Sequence, residues 1–395
     1  MEKRDINSAR ICPVSRKCGG CQLMNMSYPE QLRFKQAKVN KLLGGFHRVL
    51  PVKGMANPFH YRNKVQAAFG TTRGGEIISG VYQSSTHNIV KVDSCLLEDE
   101  KADEIIVTVR RLVKSFKLGV YNEKIGAGFL RHVLVKRGFA TNEIMVVLVT
   151  GTGVFPSKRN FVKELLRLHP EITTVIQNIN NKYTSMVLGE REEILYGKGY
   201  IEDMLCGCRF RISAKSFYQI NPVQTEFLYG TAVKFAGLTG KERVIDAYCG
   251  IGTIGLVAAA SGAAEVIGAE LNPDAVSDAK INAKLNGVEN AEFICADAGE
   301  FMLAMSEQGE KCDVVFMDPP RAGSDKKFLS SLVKLAPEKV VYISCNPETQ
   351  QRDLYYLTKN GYEVKKIQPV DMFPYTSHVE TVVLLSQQKL NQDLS

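Results

Sequence analysis

The 395-residue sequence lacks long apolar runs, internal repeats and low-complexity segments. Its longest apolar stretch, residues 251–264, is too short and too glycine-rich to span a bilayer. The first ten residues are polar and charged, unlike the start of a signal peptide. We therefore expect neither a membrane span nor a secretory signal. With 45% hydrophobic and 23% charged residues, the composition excludes a disordered or fibrous chain and indicates two or three folded domains.

The sequence also lacks the cysteine framework of a small secreted protein. Ten cysteines are present, and three of them fall within residues 12–21. In a chain of this length, such a cluster indicates a reducing cytoplasmic setting in which thiols serve metal binding or catalysis.

Acidic residues are scarce at the N-terminal end. Residues 1–70 contain thirteen Lys and Arg against three Asp and Glu, whereas the rest of the chain is slightly negative. Phe34, Phe59 and Tyr61 are interleaved with these cations. The pattern fits a surface on which cations contact phosphates and rings stack on bases, and it fits an ordinary solvated basic face equally well.

The first two-thirds of the chain show two kinds of pattern. Ser27 and Glu30 have the spacing of a capping box, and the apolar pattern behind them predicts a helix that ends at Gly44. Residues 51–199 contain short β-branched or aromatic runs and two helical stretches. This part of the sequence predicts a mixed α/β region rich in antiparallel strands.

Strands and helices alternate strictly from residue 244 onward, which predicts a parallel sheet with helices on both faces. The last two apolar runs, residues 362–369 and 379–386, are too close for a helical crossover and predict an antiparallel pair. The chain therefore divides into a cysteine and basic-helix segment, a central α/β domain and a C-terminal α/β domain, with the bounds 1–49, 50–210 and 211–395.

Ligands of an open α/β sheet lie beyond the carboxyl ends of its strands. The first strand of the C-terminal domain leads into Gly250, Gly252 and Gly255, a G-x-G-x-x-G pattern that lets the backbone approach a ligand and that also fits a dinucleotide-binding oxidoreductase. Glu270 follows the second strand, where it suits ribose hydroxyls, and Asp297 follows the third, where it suits an adenine edge. Helix capping is the alternative role for either acid.

The next two strands end in more distinctive segments. Asp318 begins the sequence Asp-Pro-Pro-Arg, in which two prolines remove amide donors and form a rigid shelf suited to a flat ring. The fifth strand ends in Ser-Cys-Asn-Pro, which places the thiol of Cys345 at the same edge as Asp318. That position makes Cys345 a candidate functional residue.

Taken together, four ordered motifs resemble the S-adenosylmethionine-dependent RNA (uracil-C5)-methyltransferases. They are D-A-Y-C-G-I-G from Asp246, D-P-P-R from Asp318, S-C-N-P from Ser344 and H-V-E from His378, and S-F-Y-Q-I-N-P from Ser216 is similar to the lead-in of that family's catalytic domain. The resemblance covers nearly the whole chain. It implies an α/β fold with a Rossmann-like class I methyltransferase domain, whose mostly parallel sheet has an antiparallel last strand, preceded by a mixed α+β RNA-binding region with an iron–sulfur cluster.

The resemblance also implies roles for individual residues. Uracil C5 is a poor nucleophile, so the Cys345 thiolate attacks C6 and turns the ring into an enolate with electron density at C5. C5 then takes the methyl group, and Glu380 removes the C5 proton so that the cysteine can leave. The target uridine must be unstacked, which favours a loop nucleotide. The cofactor pocket implied for S-adenosyl-L-methionine consists of Gln219, Tyr248, Thr253, Glu270, Asp297 and Asp318.

The N-terminal cysteines make the chain most similar to the bacterial 23S ribosomal RNA members. Cys12, Cys18, Cys21 and the distant Cys95 supply four thiolates, which suit a [4Fe–4S] cluster and also a structural zinc site. The spacing is similar to the family's cluster-binding pattern and favours iron–sulfur in a structural role. Many of those members carry a small β-barrel RNA-binding domain before the cysteines, whereas eleven residues precede Cys12 here. RNA capture is therefore expected from the basic N-terminal region and the central domain.

The expected partner is 23S rRNA and the expected state is a monomer, with tRNA as the alternative substrate. An adenine or cytosine amino-methyltransferase also uses Asp-Pro-Pro, but normally has an aromatic residue where Arg321 stands. A cytosine-C5 methyltransferase would share the cysteine chemistry, and an oxidoreductase would leave Cys345 and Glu380 without a role. A noncatalytic RNA-binding factor is the alternative from a different class.

Overall fold

The computed structural model describes residues 12–84, 86–123 and 125–388. Its helices are α1 (Ser15–Cys18), α2 (Tyr28–Leu43), α3 (Glu100–Ser115), α4 (Lys158–Leu168), α5 (Pro222–Ala236), α6 (Thr253–Ala260), α7 (Pro273–Leu285), α8 (Ala298–Glu307), α9 (Lys326–Leu335) and α10 (Pro347–Lys359). Its strands are β1 (Lys64–Thr71), β2 (Ile77–Tyr82), β3 (Ile89–Lys91), β4 (Leu130–Arg137), β5 (Ile144–Thr150), β6 (Ile172–Ile179), β7 (Arg191–Tyr196), β8 (Ile201–Leu205), β9 (Cys208–Ile212), β10 (Arg243–Ala247), β11 (Glu265–Glu270), β12 (Ala291–Cys295), β13 (Val314–Met317), β14 (Lys339–Ser344), β15 (Tyr362–Val370) and β16 (Glu380–Gln387). No helix in these described ranges is long and apolar enough to cross a membrane.

Helix α2 begins as predicted, with a capping box between Ser27 and Glu30. Its apolar side buries Val39 and Leu43 in the core that also contains residues of β14, β15 and β16. Helix α2 therefore packs on the C-terminal domain, which buries its apolar side.

The central region forms a seven-stranded sheet in the order β3-β2-β1-β4-β5-β6-β7, antiparallel except for the β5–β6 pair. Helices α3 and α4 cover one face of this sheet. The other face shares a core with the β8–β9 hairpin and the C-terminal domain. The predicted mixed α/β region rich in antiparallel pairing is confirmed.

The C-terminal sheet has the order β12-β11-β10-β13-β14-β16-β15, and β16 runs antiparallel to both of its neighbours. Helices α5, α6 and α7 cover one face, while α8, α9 and α10 cover the other together with α2. The predicted parallel sheet with an antiparallel last pair is confirmed. The sequence interpretation did not include α5, α8 or the β8–β9 hairpin.

Candidate active site

Cys345 and Glu380 lie opposite each other at the carboxyl edge of the C-terminal sheet. In the antiparallel ladder between β14 and β16, Ser344 is paired with Thr381, so the next position along each strand holds Cys345 and Glu380. Asp318 follows β13, which pairs with β14 on its other side. The sheet thus brings together three of the predicted residues from three separate segments of the chain.

The acidic groups of this cluster are buried close to one another. Burial, and next the charges of Glu380 and Asp318, raise the pKa of the Cys345 thiol to about 11, while the Arg321 guanidinium acts in the opposite direction. Burial also raises the pKa of Asp318 to about 7. The pKa of Glu380 lies well above its ordinary value because of burial and then Asp318. The thiol is therefore protonated at neutral pH in the free protein, and Arg321 is the cation that favours its thiolate.

The two loops of the cluster are tied together by hydrogen bonds. Asn346 donates through Nδ2 to the Arg321 carbonyl at 3.1 Å, and the Thr349 hydroxyl donates to the same carbonyl at 3.2 Å. Asn346 also caps α10 by accepting from the Glu348 amide at 3.2 Å. The cap of α10 thus fixes the loop after β13 beside Cys345.

A buried carboxylate holds the far end of the same loop. Asp353 accepts from the Ser324 amide at 2.9 Å and from the Tyr342 hydroxyl at 2.7 Å, and pairs with Arg352 at 2.7 Å. The Ser324 hydroxyl in turn lies 3.4 Å from the Tyr248 hydroxyl. These bonds connect the shelf after β13 to the glycine-rich loop after β10.

The glycine-rich loop wraps around a buried acid. Asp246 is fully buried and accepts from the Gly255 amide at 2.7 Å through Oδ2, and burial raises its pKa to about 8. Within the described residues, Oδ1 of Asp246 has no hydrogen-bond partner. Glu270 accepts from the Gly250 amide at 3.2 Å and from the Asn272 amide at 2.8 Å. The hydrogen bond from the Gly255 amide ties Asp246 to α6, so this buried acid fixes the path of the glycine-rich loop.

Tyr248 and Thr253 lie on either side of the tightest turn in this loop. Tyr248 has a φ of +65°, and its ring lies 5.0 Å from that of Phe328. Gly252 has a φ of +81°, and a Cβ there would lie 2.8 Å from the Phe293 ring. The turn thus requires glycine and starts α6 at Thr253.

Gln219 is linked to the cluster by Tyr229, a residue that the sequence interpretation missed. Tyr229 on α5 is fully buried, and its hydroxyl bonds to the side chains of Gln219 and Thr253 close to Asp318. A tyrosine in an apolar helix pattern gives no sequence signal for such a role. Asp297 lies apart from this group and caps α8, accepting from the Glu300 amide at 2.9 Å.

The segment that precedes Glu380 is anchored by α2. The Asp371 carboxylate is fully buried and accepts from the Lys35 ammonium at 2.5 Å and from the Tyr28 hydroxyl at 2.8 Å. Lys35 also donates to the Phe373 carbonyl at 3.0 Å, and the Gln31 side chain accepts from the backbone amide two residues further on, at 2.8 Å. Residues 371–379, the loop between β15 and β16, therefore take their conformation from the N-terminal helix.

The four predicted metal-binding cysteines share one cavity. Cys12, Cys18, Cys21 and Cys95 line a volume of about 150 Å³ together with Arg62. No group of three or more His, Cys, Asp or Glu side chains is arranged to hold a metal ion in the described part of the chain. Burial raises the pKa of Cys21 to about 11 and that of Cys95 to about 12. The sequence thus brings the four thiols to one place, although not into coordination geometry.

The proposed stacking aromatics do not all face solvent. Phe59 and Tyr61 are 3% and 2% exposed and belong to the core beneath the cysteine cavity, so their interpretation as RNA-stacking residues was wrong. Hydrophobic packing overrides the basic character of their sequence neighbourhood. Phe34 is 40% exposed and remains accessible.

Comparison with known proteins gives consistent matches. The family model of tRNA (Uracil-5-)-methyltransferases matches residues 27–388. An uncharacterized RNA methyltransferase of Clostridium acetobutylicum is 46% identical over 394 residues, covering 98% of this chain and 85% of the relative. Another from Halalkalibacterium halodurans is 44% identical over 379 residues, covering 95% and 82%. The structure of Pyrococcus abyssi tRNA (uracil-54, C5)-methyltransferase in complex with S-adenosyl-L-homocysteine has a TM-score of 0.79 at 31% identity, covering 93% of this chain and 85% of that one.

Proposed function

Since this chain belongs to the tRNA (uracil-5-)-methyltransferase family, and is thus an S-adenosylmethionine-dependent RNA uracil-C5 methyltransferase, we propose that Cys345 is its nucleophile and Glu380 its base. The observation that carries this proposal is the opposition of these residues across the β14–β16 ladder, beside Asp318. A nucleophile and a base on adjacent strands can act on neighbouring atoms of one ring.

Each residue then has a defined step. Cys345 gives its proton to solvent, and its sulfur forms a bond to C6 while the C5–C6 π electrons move to C4–O. The enolate returns this electron pair through C5, which forms the new bond to the methyl carbon. Glu380 takes the C5 proton, and the C–H electrons restore the C5–C6 double bond and expel the thiolate. When bound, S-adenosylmethionine supplies the electrophilic methyl group.

We propose that Gln219, Tyr248, Thr253, Glu270, Asp297 and Asp318 form the cofactor pocket. The glycine-rich loop supports a ligand there, because Gly250 and Gly252 have positive φ values and the backbone turns directly into α6 at the carboxyl edge of the sheet. The half-buried Tyr248 ring and the shelf after Asp318 provide flat, partly apolar surfaces. Carboxylates at the ends of β11 and β12 suit the hydroxyl and amino donors of an adenosine moiety.

The proposed substrate is a uridine of 23S rRNA. The four clustered cysteines support it, since they are the feature by which the sequence resembles the ribosomal RNA members. A tRNA uridine is the second candidate, favoured by the similarity to the Pyrococcus abyssi enzyme, which acts on tRNA uracil 54.

Release of tritium from uridine C5 tests both the chemistry and the substrate. Unmodified 23S rRNA and tRNA transcripts labelled at C5 are incubated with the protein and S-adenosylmethionine, and the tritium released to water is counted. We expect release from 23S rRNA, no release with Cys345→Ala, and a loss of about 10²–10⁴-fold with Glu380→Gln.

Cys295→Ala is the matched control, because Cys295 also lies at the end of a strand in this sheet but is exposed and outside the cluster. Release that persists in Cys345→Ala contradicts the assigned nucleophile. Release from tRNA alone selects the second substrate.

We propose further that Cys12, Cys18, Cys21 and Cys95 hold a [4Fe–4S] cluster. Their shared cavity beside the Arg62 cation suits a negatively charged group with four thiolate ligands. The cluster would cross-link residues 12–21 to the segment around Cys95, a structural role. Anaerobic purification should yield about four iron and four sulfide per chain with charge-transfer absorption, lost in Cys95→Ala but retained in Cys312→Ala. Stoichiometric zinc without iron would contradict the cluster.

A further inference from the structure

A broad groove runs along the outer edge of the C-terminal sheet, away from the proposed catalytic residues. Helix α5, strand β15 and residues 47–50 line a volume of about 850 Å³. Neither the catalytic cluster nor the cofactor pocket uses any of its side chains. The groove is therefore a feature that the proposed mechanism leaves unexplained.

The charges of the groove are predominantly positive and come from three separate elements. Arg48, Lys234 and Lys366 all line it, and none of them forms an ion pair with a described carboxylate. Lys365 also lines it but pairs with Glu363 at 2.6 Å. Glu226 also lines the groove, so the cations outnumber the carboxylates there, and this balance of charge suits an anionic ligand.

A β-bulge directs two consecutive lysines into the same groove. Side chains of successive residues in a regular strand point to opposite faces. In β15 the register with β16 shifts between Val364 and Lys366, and Lys365 and Lys366 are both exposed and line the groove. Bulges of this kind re-aim side chains. The irregularity brings Lys365, with its partner Glu363, to the same groove as Lys366.

Aromatic rings hold two ammonium groups in place. The Lys366 ammonium lies over the Phe235 ring at 5.2 Å, and the Lys53 ammonium lies over the Phe227 ring at the same distance. Both rings line the groove. Cation–π contacts of this kind fix the direction of flexible lysines without neutralising them.

The floor of the groove is formed before any ligand arrives. The Leu50 amide donates to the Ile367 carbonyl at 2.9 Å, and the Lys53 amide donates to the Pro369 carbonyl at 3.0 Å. Strand β15 continues from there into the loop that leads to Glu380. The groove is thus a rigid surface continuous with the edge of the active site.

We infer that this groove binds the phosphate backbone of the substrate RNA at nucleotides outside the methylated uridine. The inference rests on the proposed function only in that the ligand is the RNA substrate. An RNA strand provides regularly spaced anions over a length that four cations from three elements can follow, and the sugar–phosphate chain requires no base-specific contact there. The groove therefore contributes affinity rather than chemistry.

The salt dependence of RNA binding tests this surface. The variant Lys234→Gln/Lys366→Gln removes two groove cations, and Lys284→Gln/Lys334→Gln removes two exposed lysines that also lie in the last turns of helices. With a long 23S rRNA fragment as the probe, we expect the groove variant to bind about tenfold more weakly and to lose about 1.5–2 from the slope of log Kd against log salt. Single-turnover tritium release at saturating RNA should equal that of the wild type.

A short stem–loop that carries only the target region should bind both variants equally, because it does not reach the groove. Equal affinities and salt slopes of the two variants for the long RNA would overturn the inference. Weaker binding of the short stem–loop by the groove variant would overturn it as well, since the cations would then serve the target nucleotide itself. Absence of tritium release from the wild type would instead contradict the proposed function and leave the binding comparison readable.

Discussion

The thiol of Cys345 faces opposing charges. Burial and the carboxylates of Glu380 and Asp318 favour the thiol, whereas Arg321 favours the thiolate. A thiol with a raised pKa reacts slowly in the free protein, because only a small fraction of it is present as the thiolate. The reactivity of this one side chain therefore depends on neighbours contributed by β13 and β16.

The neighbours can be tested one at a time by alkylation with iodoacetamide in the absence of substrate. Since the pKa of Cys345 is about 11, its alkylation rate should rise with pH throughout the range below that value. At a fixed pH at which Glu380 is ionised, Glu380→Gln removes a negative charge, lowers the pKa of Cys345 and speeds its alkylation. Arg321→Gln removes the cation, raises the pKa and slows it. At a pH below the pKa, the thiolate fraction changes about tenfold when the pKa changes by about 1. A change of about 1 in the pKa of Cys345 therefore alters its alkylation rate about tenfold.

Peptide mapping by mass spectrometry resolves Cys345 from exposed Cys295, which serves as the internal control in each sample. The charge assignment fails if both substitutions move the profile in the same direction.

Sequence reasoning identified some residues of the candidate site and missed others. Cys345, Asp318 and Glu380 follow from motifs at strand ends, where the rules of α/β sheets already locate ligands. Tyr229 and Asp353 could not be found in this way, because each looks like an ordinary helix residue in sequence. Their hydroxyl and carboxylate acquire partners only when α5 and α10 dock on the sheet.

At the scale of elements, α2 supports the loop that precedes Glu380. The Lys35–Asp371 pair is fully buried at both ends, and the Tyr28 hydroxyl completes the carboxylate's shell. Buried pairs of this kind fix a geometry more than they stabilise a fold. The N-terminal helix thus determines where the first residue of β16 is held.

Breaking this pair should impair both stability and catalysis. Lys35→Met leaves the Asp371 charge buried and should cost about 3–5 kcal/mol in urea unfolding. Tyr28→Phe removes one hydrogen bond to Asp371 and should cost about 2 kcal/mol. In Tyr28→Phe, tritium release should slow more than formation of the covalent adduct with 5-fluorouridine-containing RNA, because the proposed proton abstraction by Glu380 follows the proposed attack of Cys345.

Lys35→Met/Asp371→Leu should recover part of the lost stability without recovering the rate of tritium release. Equal slowing of adduct formation and tritium release in Tyr28→Phe would contradict a role of α2 in placing the base.

Most elements could be predicted from periodicity, including α2 and the β15–β16 pair. The β8–β9 hairpin could not, because its turn places Cys206 at a φ of +50°, a conformation that the residue itself does not favour. Helix α8 follows an alanine-, glycine- and methionine-rich sequence without a clear apolar stripe. In the sequence, the bulge in β15 is visible only as two adjacent lysines. Their common orientation results from the shifted pairing of β15 with β16, which no local pattern predicts.

At the scale of the molecule, sequence regions that were separated by composition share cores in three dimensions. The basic N-terminal region packs on the C-terminal sheet through α2, and residues 49–53 run beside β15. No local sequence pattern predicts such long-range packing, because the packing depends on which apolar faces remain exposed after each sheet has formed. The overall α/β class was predictable, whereas the dependence of the active-site edge on the N-terminal helix was not.

The same docking imposes an order on biosynthesis. The contact between Tyr28 and Asp371 joins residues 343 positions apart, so α2 leaves the ribosome long before its partners are translated. Until the loop between β15 and β16 is translated, Asp371, the ion-pair partner of Lys35, is absent. The aromatic residues below the cysteine cavity likewise lack Tyr375, which packs against them in the finished fold. Folding of this part is consequently post-translational and slow. Elongation thus opens a time window in which all four thiols, within the first 95 residues, are already synthesised while Tyr375, which packs in the core below their cavity, is not.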